Sequence, residues 1–145
     1  MGLWTIRRAE HRDADALSRC IDSAYAHYAG RIVDLPPVSA DCADEIAKYQ
    51  VWVAETEDGI VGGLVLIPED GFMRLANVAV HPDTKGAGLG REFMMLAEAE
   101  ALTSGYRELR LTTHSDMPEN VGLYEHLGWE LTARQGNKVA MKKAI

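Results

Sequence analysis

The sequence predicts one α+β domain on a mixed sheet, with elements in the order β-α-α-β-β-β-α-β-α-β-β. Three observations lead there. Two Asp-Gly turns, Asp58-Gly59 and Asp70-Gly71, are flanked by apolar runs and mark out an antiparallel meander. Behind it a glycine-rich loop opens a helix-period segment, and a strand, a helix and two further strands follow. The 145 residues suit a single domain with its own core, and 47% hydrophobic with 26% charged residues is globular composition.

Each element has its own signal. Trp4, Ile6 and Arg8 alternate with Leu3, Thr5 and Arg7, a short first strand. Asp13 offers an N-cap, and Leu17, Cys20, Ile21 and Ala24 recur at helical spacing until Gly30 stops the helix. Arg31 to Val38 contains Pro36-Pro37 and is irregular, since the second proline restricts the residue before it. Ser39 or Asp41 caps a second short helix reaching about Tyr49. The meander strands are Val51 to Glu55, Ile60 to Pro68 and Arg74 to His81, and Pro82-Asp83 ends the third. A long helix runs from about Leu89 to Ser104, with Leu89, Phe93, Leu96 and Ala97 as its apolar stripe and Gly105 as its stop. Arg107 to Thr113 is a strand, Pro118 sits in the first turn of a helix to about Leu127, and Trp129–Arg134 and Val139–Lys143 flank a Gly136-Asn137 turn.

Charge narrows the function classes. Fifteen basic against 22 acidic side chains leave a net charge of −7, which lacks the cationic face that a phosphate backbone requires, so no nucleic acid partner is expected. The acidic surface serves either to attract a cationic acceptor or simply to keep the chain soluble. Cys20 and Cys42 have no metal-ligand spacing, and Cys20 reads as a small core residue; no metal is expected. Arg7 and Arg8 interrupt the N-terminus before any signal-like apolar run develops, Ile6 stands where a myristoylation pattern wants Ser or Thr, and Ile60–Ile67 is too short to span a bilayer. A cytoplasmic protein without membrane attachment is the expectation.

The chemistry concentrates in Val78-Ala79-Val80-His81-Pro82-Asp83-Thr84-Lys85-Gly86-Ala87-Gly88-Leu89-Gly90-Arg91, a strand, a loop with glycines and a helix start. Glycines leave backbone N–H groups unshielded, and a helix N-terminus adds unpaired N–H groups with partial positive charge. Together they cradle a group such as a pyrophosphate, flanked here by Lys85 and Arg91. No Lys-Ser or Lys-Thr follows the glycines, so the loop is no P-loop. Its G-x-G-x-G spacing, late in the chain and after a meander, does not fit a dinucleotide fingerprint either.

At these residues the sequence resembles the GNAT superfamily of CoA-dependent N-acetyltransferases. Lys85-Gly86-Ala87-Gly88-Leu89-Gly90 is similar to the family's Q/R-x-x-G-x-G/A signature, with Lys85 replacing the first Gln or Arg. Asn120-Val121-Gly122-Leu123-Tyr124-Glu125-His126-Leu127-Gly128-Trp129 resembles the second signature, with a shorter Asn-to-Tyr spacing than the commonest form. The resemblance implies a mostly antiparallel seven-stranded sheet with helices on both faces. It implies acetyl-CoA as acyl donor, bound along Val78, Ala79 and Val80 and by Lys85, Gly86, Ala87, Gly88, Leu89, Gly90, Arg91 and Asn120. Tyr124 is then the proton donor to the departing thiolate, a phenol of pKa ~10 meeting a thiolate of similar basicity.

The general base does not carry over from the resemblance, because Arg74, Thr112 and Thr113 stand where relatives hold a glutamate. His114 is the candidate base, oriented by Asp116, with a loop or cap role as the alternative; Glu55 is an outside candidate and His81 reads as a turn residue. Tyr25, His27, Tyr28 and Arg31 either line the acceptor side or pack as cover. The acceptor is a small-molecule or peptide amine, and the resemblance leaves a homodimer through the C-terminal strands open. Two other readings stay in view: an acyl-CoA-binding regulator without transfer, and a nucleotide-binding module using the same glycines.

Overall fold

The computed structural model describes residues 4–26, 42–84, 86–114 and 118–145, with the backbone alone at 25, 114 and 118–120. The elements follow the expected order: β1 (Thr5–Arg8), α1 (Ala14–Tyr25), α2 (Cys42–Lys48), β2 (Gln50–Thr56), β3 (Gly59–Pro68), β4 (Met73–Val80), α3 (Leu89–Thr103), β5 (Glu108–His114), α4 (Pro118–His126), β6 (Glu130–Gln135) and β7 (Lys138–Ala144). Gly30, the Pro36-Pro37 segment and the Ser39 and Asp41 caps lie outside the described residues.

All strands join one seven-stranded sheet in the order β1-β2-β3-β4-β5-β7-β6. Neighbours are antiparallel except β4 and β5, which run parallel. Period-two alternation sends side chains to two separate cores. Val51, Val53, Val65 and Ile67 meet Leu17 and Ile21 of α1 on one face. Ala54, Leu64, Leu66, Leu109 and Met141 meet Phe93 and Ala97 of α3 and Tyr124 of α4 on the other. Each fully buried aliphatic or aromatic side chain contributes about 1.5–3 kcal/mol of transfer free energy. Helices therefore cover both faces, α1 and α2 on one, α3 and α4 on the other.

Two adjacent glycines set how closely those layers approach. A Cβ on Gly62 would stand 2.8 Å from Leu89 Cδ2 and 2.9 Å from Phe93 Cε2, so these α3 side chains pack directly on the β3 backbone. A Cβ on Gly63, pointing the other way, would collide with Leu17 Cδ1 of α1. Glycine inside a strand weakens it, and here the loss is offset by close helix packing on both sides.

Asp13 departs from the role expected of it. It precedes α1 in helical conformation and makes no side-chain cap hydrogen bond there. Its carboxylate instead accepts from the Glu10 N–H at 2.7 Å, closing a capping box around a 3-10 turn at His11–Asp13. It also accepts from Arg7 Nη1 at 2.8 Å and Nη2 at 3.0 Å. A fork-like guanidinium reaches a carboxylate better than the backbone of the next helix does, and that contact wins. Arg7 extends the network to Glu55 on β2, with Nε 3.2 Å from Oε1. The Arg7 hydrogen bonds hold the Asp13 carboxyl below its ordinary value of 3.8, against the opposing effect of burial.

A depressed folded-state value means that this stabilisation is complete above the unfolded pKa and disappears as pH falls through the folded one. Asp13→Asn should cost about 1–3 kcal/mol near neutrality. In urea denaturation the gap between wild type and variant should close below pH 4; a gap constant with pH would assign Asp13 a packing role only.

Candidate active site

The middle of the sheet is open. β4 and β5 pair at Met73↔Leu109 and Arg74↔Arg110, with no further register between them. Beyond Arg74, β4 stays with β3 as far as Val80↔Gly62, while β5 stays with β7 as far as His114↔Lys138. The strands part towards their C-terminal ends, leaving a cleft between them.

A β-bulge accounts for the divergence. The β3–β4 register passes from Leu66↔Leu75 to Val65↔Asn77, so Ala76 is an extra residue that bends β4. It also reverses which residues face which core: Met73 and Leu75 face α3, and past the bulge Val78 and Val80 do, while Ala79 turns to the α1 side. Backbone direction follows the same alternation. The His81 N–H donates to the Val61 carbonyl at 2.8 Å, and Ala79 lies opposite Gly63. The peptide groups of Val78 and Val80 consequently point away from β3, towards the cleft. Ala79, expected with them, contributes its backbone to the β3 side.

The cleft ends at the glycine loop. Gly86 (φ 84°) and Gly88 (φ 96°) are left-handed, and an added Cβ at either would meet nothing within 4 Å. Conformation rather than crowding selects glycine there, since a side chain in this region costs roughly 1–2 kcal/mol. Gly88 is the N-cap of α3, and the first helical bond runs from the Glu92 N–H to its carbonyl at 3.1 Å. The N–H groups of Leu89, Gly90 and Arg91 thus precede the intrahelical ladder, and no side chain caps the helix. Ala87 is different: its N–H already donates to the Thr84 carbonyl at 3.3 Å. A Cβ on Gly90 would stand 3.9 Å from Val80 Cγ2, so this turn lies directly against the end of β4. Such amides, with the partial positive charge of a 15-residue helix behind them, are suited to receive an anion. Lys85 lies outside the described residues.

Tyr124 is buried in the α3-side core, its ring 5.8 Å from that of Trp129 and tilted by 57°. Gly128 (φ 97°) ends α4 so that the Trp129 N–H returns to the Tyr124 carbonyl at 2.9 Å, folding the indole under the helix. The side chains of His114, Asn120 and Tyr25 fall outside the described residues, as do Asp116, His27, Tyr28 and Arg31. The backbone places His114 last in β5, at the open end of the cleft.

Glu55, the outside candidate, and the other residues considered near the cleft are engaged elsewhere. Glu55 pairs with Arg7 on β2, two strand positions from β4. Arg74 lies 3.5 Å from Glu69 at the closed end of the cleft. His81 Nδ1 accepts the Asp83 N–H at 3.1 Å, the turn role expected of it. Burial pushes the Cys20 thiol up to about 11, with the His81 backbone pulling the other way, so it is protonated at neutral pH. Among the described residues no group of His, Cys, Asp and Glu is arranged to hold a metal ion, and no helix is long and apolar enough to cross a membrane.

Comparison with known proteins gives the family of the chain. A family model described as acetyltransferase (GNAT) domain matches residues 47–131, a span containing the meander, the glycine loop, α3, β5 and α4. The chain belongs to the GNAT acetyltransferases. It is similar to the N-acetyltransferase YjgM of Escherichia coli K12, 32% identical over 86% of this chain and 81% of the relative. It is also similar to the L-amino acid N-acyltransferase MnaT of the same organism, 30% identical over 90% of this chain and 81% of the relative. Its fold matches the PaiA N-acetyltransferase of Thermoplasma acidophilum, crystallised with coenzyme A, at a TM-score of 0.88 over the whole of both chains and 18% identity. The GNAT sheet, divided after its fourth strand, is the fold expected from the sequence.

Gly62, packed under α3, and Ala76, at the bend of β4, shape the surroundings of the cleft and lie outside both motifs. A glycine pair inside an apolar strand signals close backbone approach and was available for Gly62. Ala76 carries no sequence signal. Gly62→Ala should cost about 1–3 kcal/mol in urea denaturation, because the buried Leu89 and Phe93 side chains must shift to admit the methyl group. Gly122→Ala, in α4 with open space around it, should be neutral or stabilising by up to about 1 kcal/mol. Equal effects of the two would remove the packing argument for Gly62.

Proposed function

We propose that the protein transfers an acetyl group from acetyl-CoA to a primary amine by direct attack within a ternary complex. The observation that carries this is the open β4 edge leading into an uncapped α3 N-terminus. Pantetheine carries amides and can lie along Val78 and Val80 as a missing strand would, which satisfies backbone groups that are costly to leave unpaired. The diphosphate of the donor then reaches the amides of Gly88 to Arg91, one helical turn from the strand end. A β4 N–H aimed at the thioester oxygen stabilises the charge that develops there during attack.

The chemistry follows from that pose. The amine lone pair forms a C–N bond to the thioester carbon, and collapse of the tetrahedral intermediate breaks the C–S bond. Tyr124 gives its proton to the departing CoA thiolate. The attacking amine loses its proton to a base, for which His114 at the cleft end of β5 is our assignment. A lysine-like amine of pKa ~10.4 is almost wholly protonated at pH 7, so this step needs an acceptor. A covalent relay through cysteine is disfavoured by the burial of Cys20 and Cys42. The relation to MnaT makes the α-amine of an L-amino acid the first acceptor to test.

Thiol release from acetyl-CoA over a panel of L-amino acids, small amines and peptides tests the reading. Tyr124→Phe should lower kcat about a hundredfold with CoA affinity retained, and His114→Gln should abolish the acidic limb of the kcat/KM profile. Tight CoA binding with no turnover on any amine would favour a regulator. Stabilisation by ATP and not by CoA would refute the donor assignment.

A further inference from the structure

The Trp4 indole Nε1–H donates to Glu92 Oε2 at 2.8 Å, a contact that joins residues 88 positions apart. Trp4 immediately precedes β1, and its ring packs against the α3-side core. The register places it at the level of the glycine loop, since Thr5 lies opposite Glu55, Glu55 opposite Ile60, and Gly62 opposite Val80. Glu92 is the acidic residue in the first turn of α3, adjoining the free amides of Leu89, Gly90 and Arg91.

A carboxylate there competes with any anion for the same field and the same N–H groups. Where it points therefore decides how much positive potential the site retains. β1 and the cleft lie on opposite flanks of α3: β1 is three strand positions from β4, roughly 14 Å at ordinary spacing. We infer that Trp4 is a positioning residue that holds the Glu92 carboxylate on the β1 flank, away from the anion cradle, and so sustains affinity for the CoA diphosphate. A neutral donor suits this role. The indole is rigid and packed against the core, so its N–H fixes the direction in which the carboxylate points.

The inference rests on the donor assignment of the proposed function, and calorimetric titration of CoA into four full-length proteins separates the two. Trp4→Phe keeps the ring and removes the donor. It should weaken CoA binding about three- to tenfold, with little change in kcat at saturation. Glu92→Gln should bind CoA at least as tightly as wild type. The double variant should recover wild-type affinity within about twofold, because the competing charge is gone. A double variant as weak as Trp4→Phe would assign Trp4 to helix packing and overturn the inference, as would wild-type affinity in Trp4→Phe. Wild type that takes up no CoA would overturn the donor assignment and the inference with it, a result distinct from the other two.

Discussion

A seven-stranded sheet would normally hydrogen-bond through its centre, and here β4 and β5 meet at two positions only before separating. That interruption is the constraint on which the rest of the molecule turns. Peptide groups on inner strands are expensive to leave without partners, so two facing open edges in mid-sheet suit a ligand with its own amides, as the proposed function requires. The fold holds the edges apart by anchoring each from outside, β4 on β3 and β5 on β7. The Ala76 bulge supplies the bend, and the end of β4 lies against the first turn of α3.

The layers around the cleft serve the same placement. Gly62 allows α3 to sit on β3 and fixes the height of its N-terminus, while Gly63 does the same for α1 on the opposite face. Trp4 and Glu92 tie the first turn of that helix to the edge strand, and Lys143 Nζ, 2.8 Å from Glu98 Oε2, ties its middle to β7. The Arg7–Asp13–Glu55 network anchors the entry to α1 against β2. Stability and function are thus linked through α3, which packs on one half of the sheet and presents its amides to the gap between the halves.

Much of this was legible in the sequence where the signal is local. Asp58-Gly59 marked the β2–β3 hairpin, the Leu17, Cys20, Ile21 and Ala24 stripe marked the buried face of α1, and the loop glycines marked a helix start with exposed amides. What the sequence did not disclose depends on distant residues. Ala76 looks like any strand alanine, and only the register of β3 against β4 shows it to be supernumerary. Asp13 had the right type and place for an N-cap, but Arg7, six residues earlier, took its carboxylate. Trp4 and Glu92, 88 residues apart, meet only through the folded arrangement of the chain start and α3, which no periodicity encodes.

Amide chemical shifts of the ¹⁵N-labelled protein, followed during titration with CoA, test the central interpretation most directly. Val78, Val80 and the first turn of α3 from Gly88 to Arg91 should shift most, with Ala79 moving less than either neighbour because its N–H belongs to the β3 ladder. Largest shifts on β6 or α1, with Val78, Val80 and the α3 turn unmoved, would show that coenzyme A does not occupy the gap between β4 and β5.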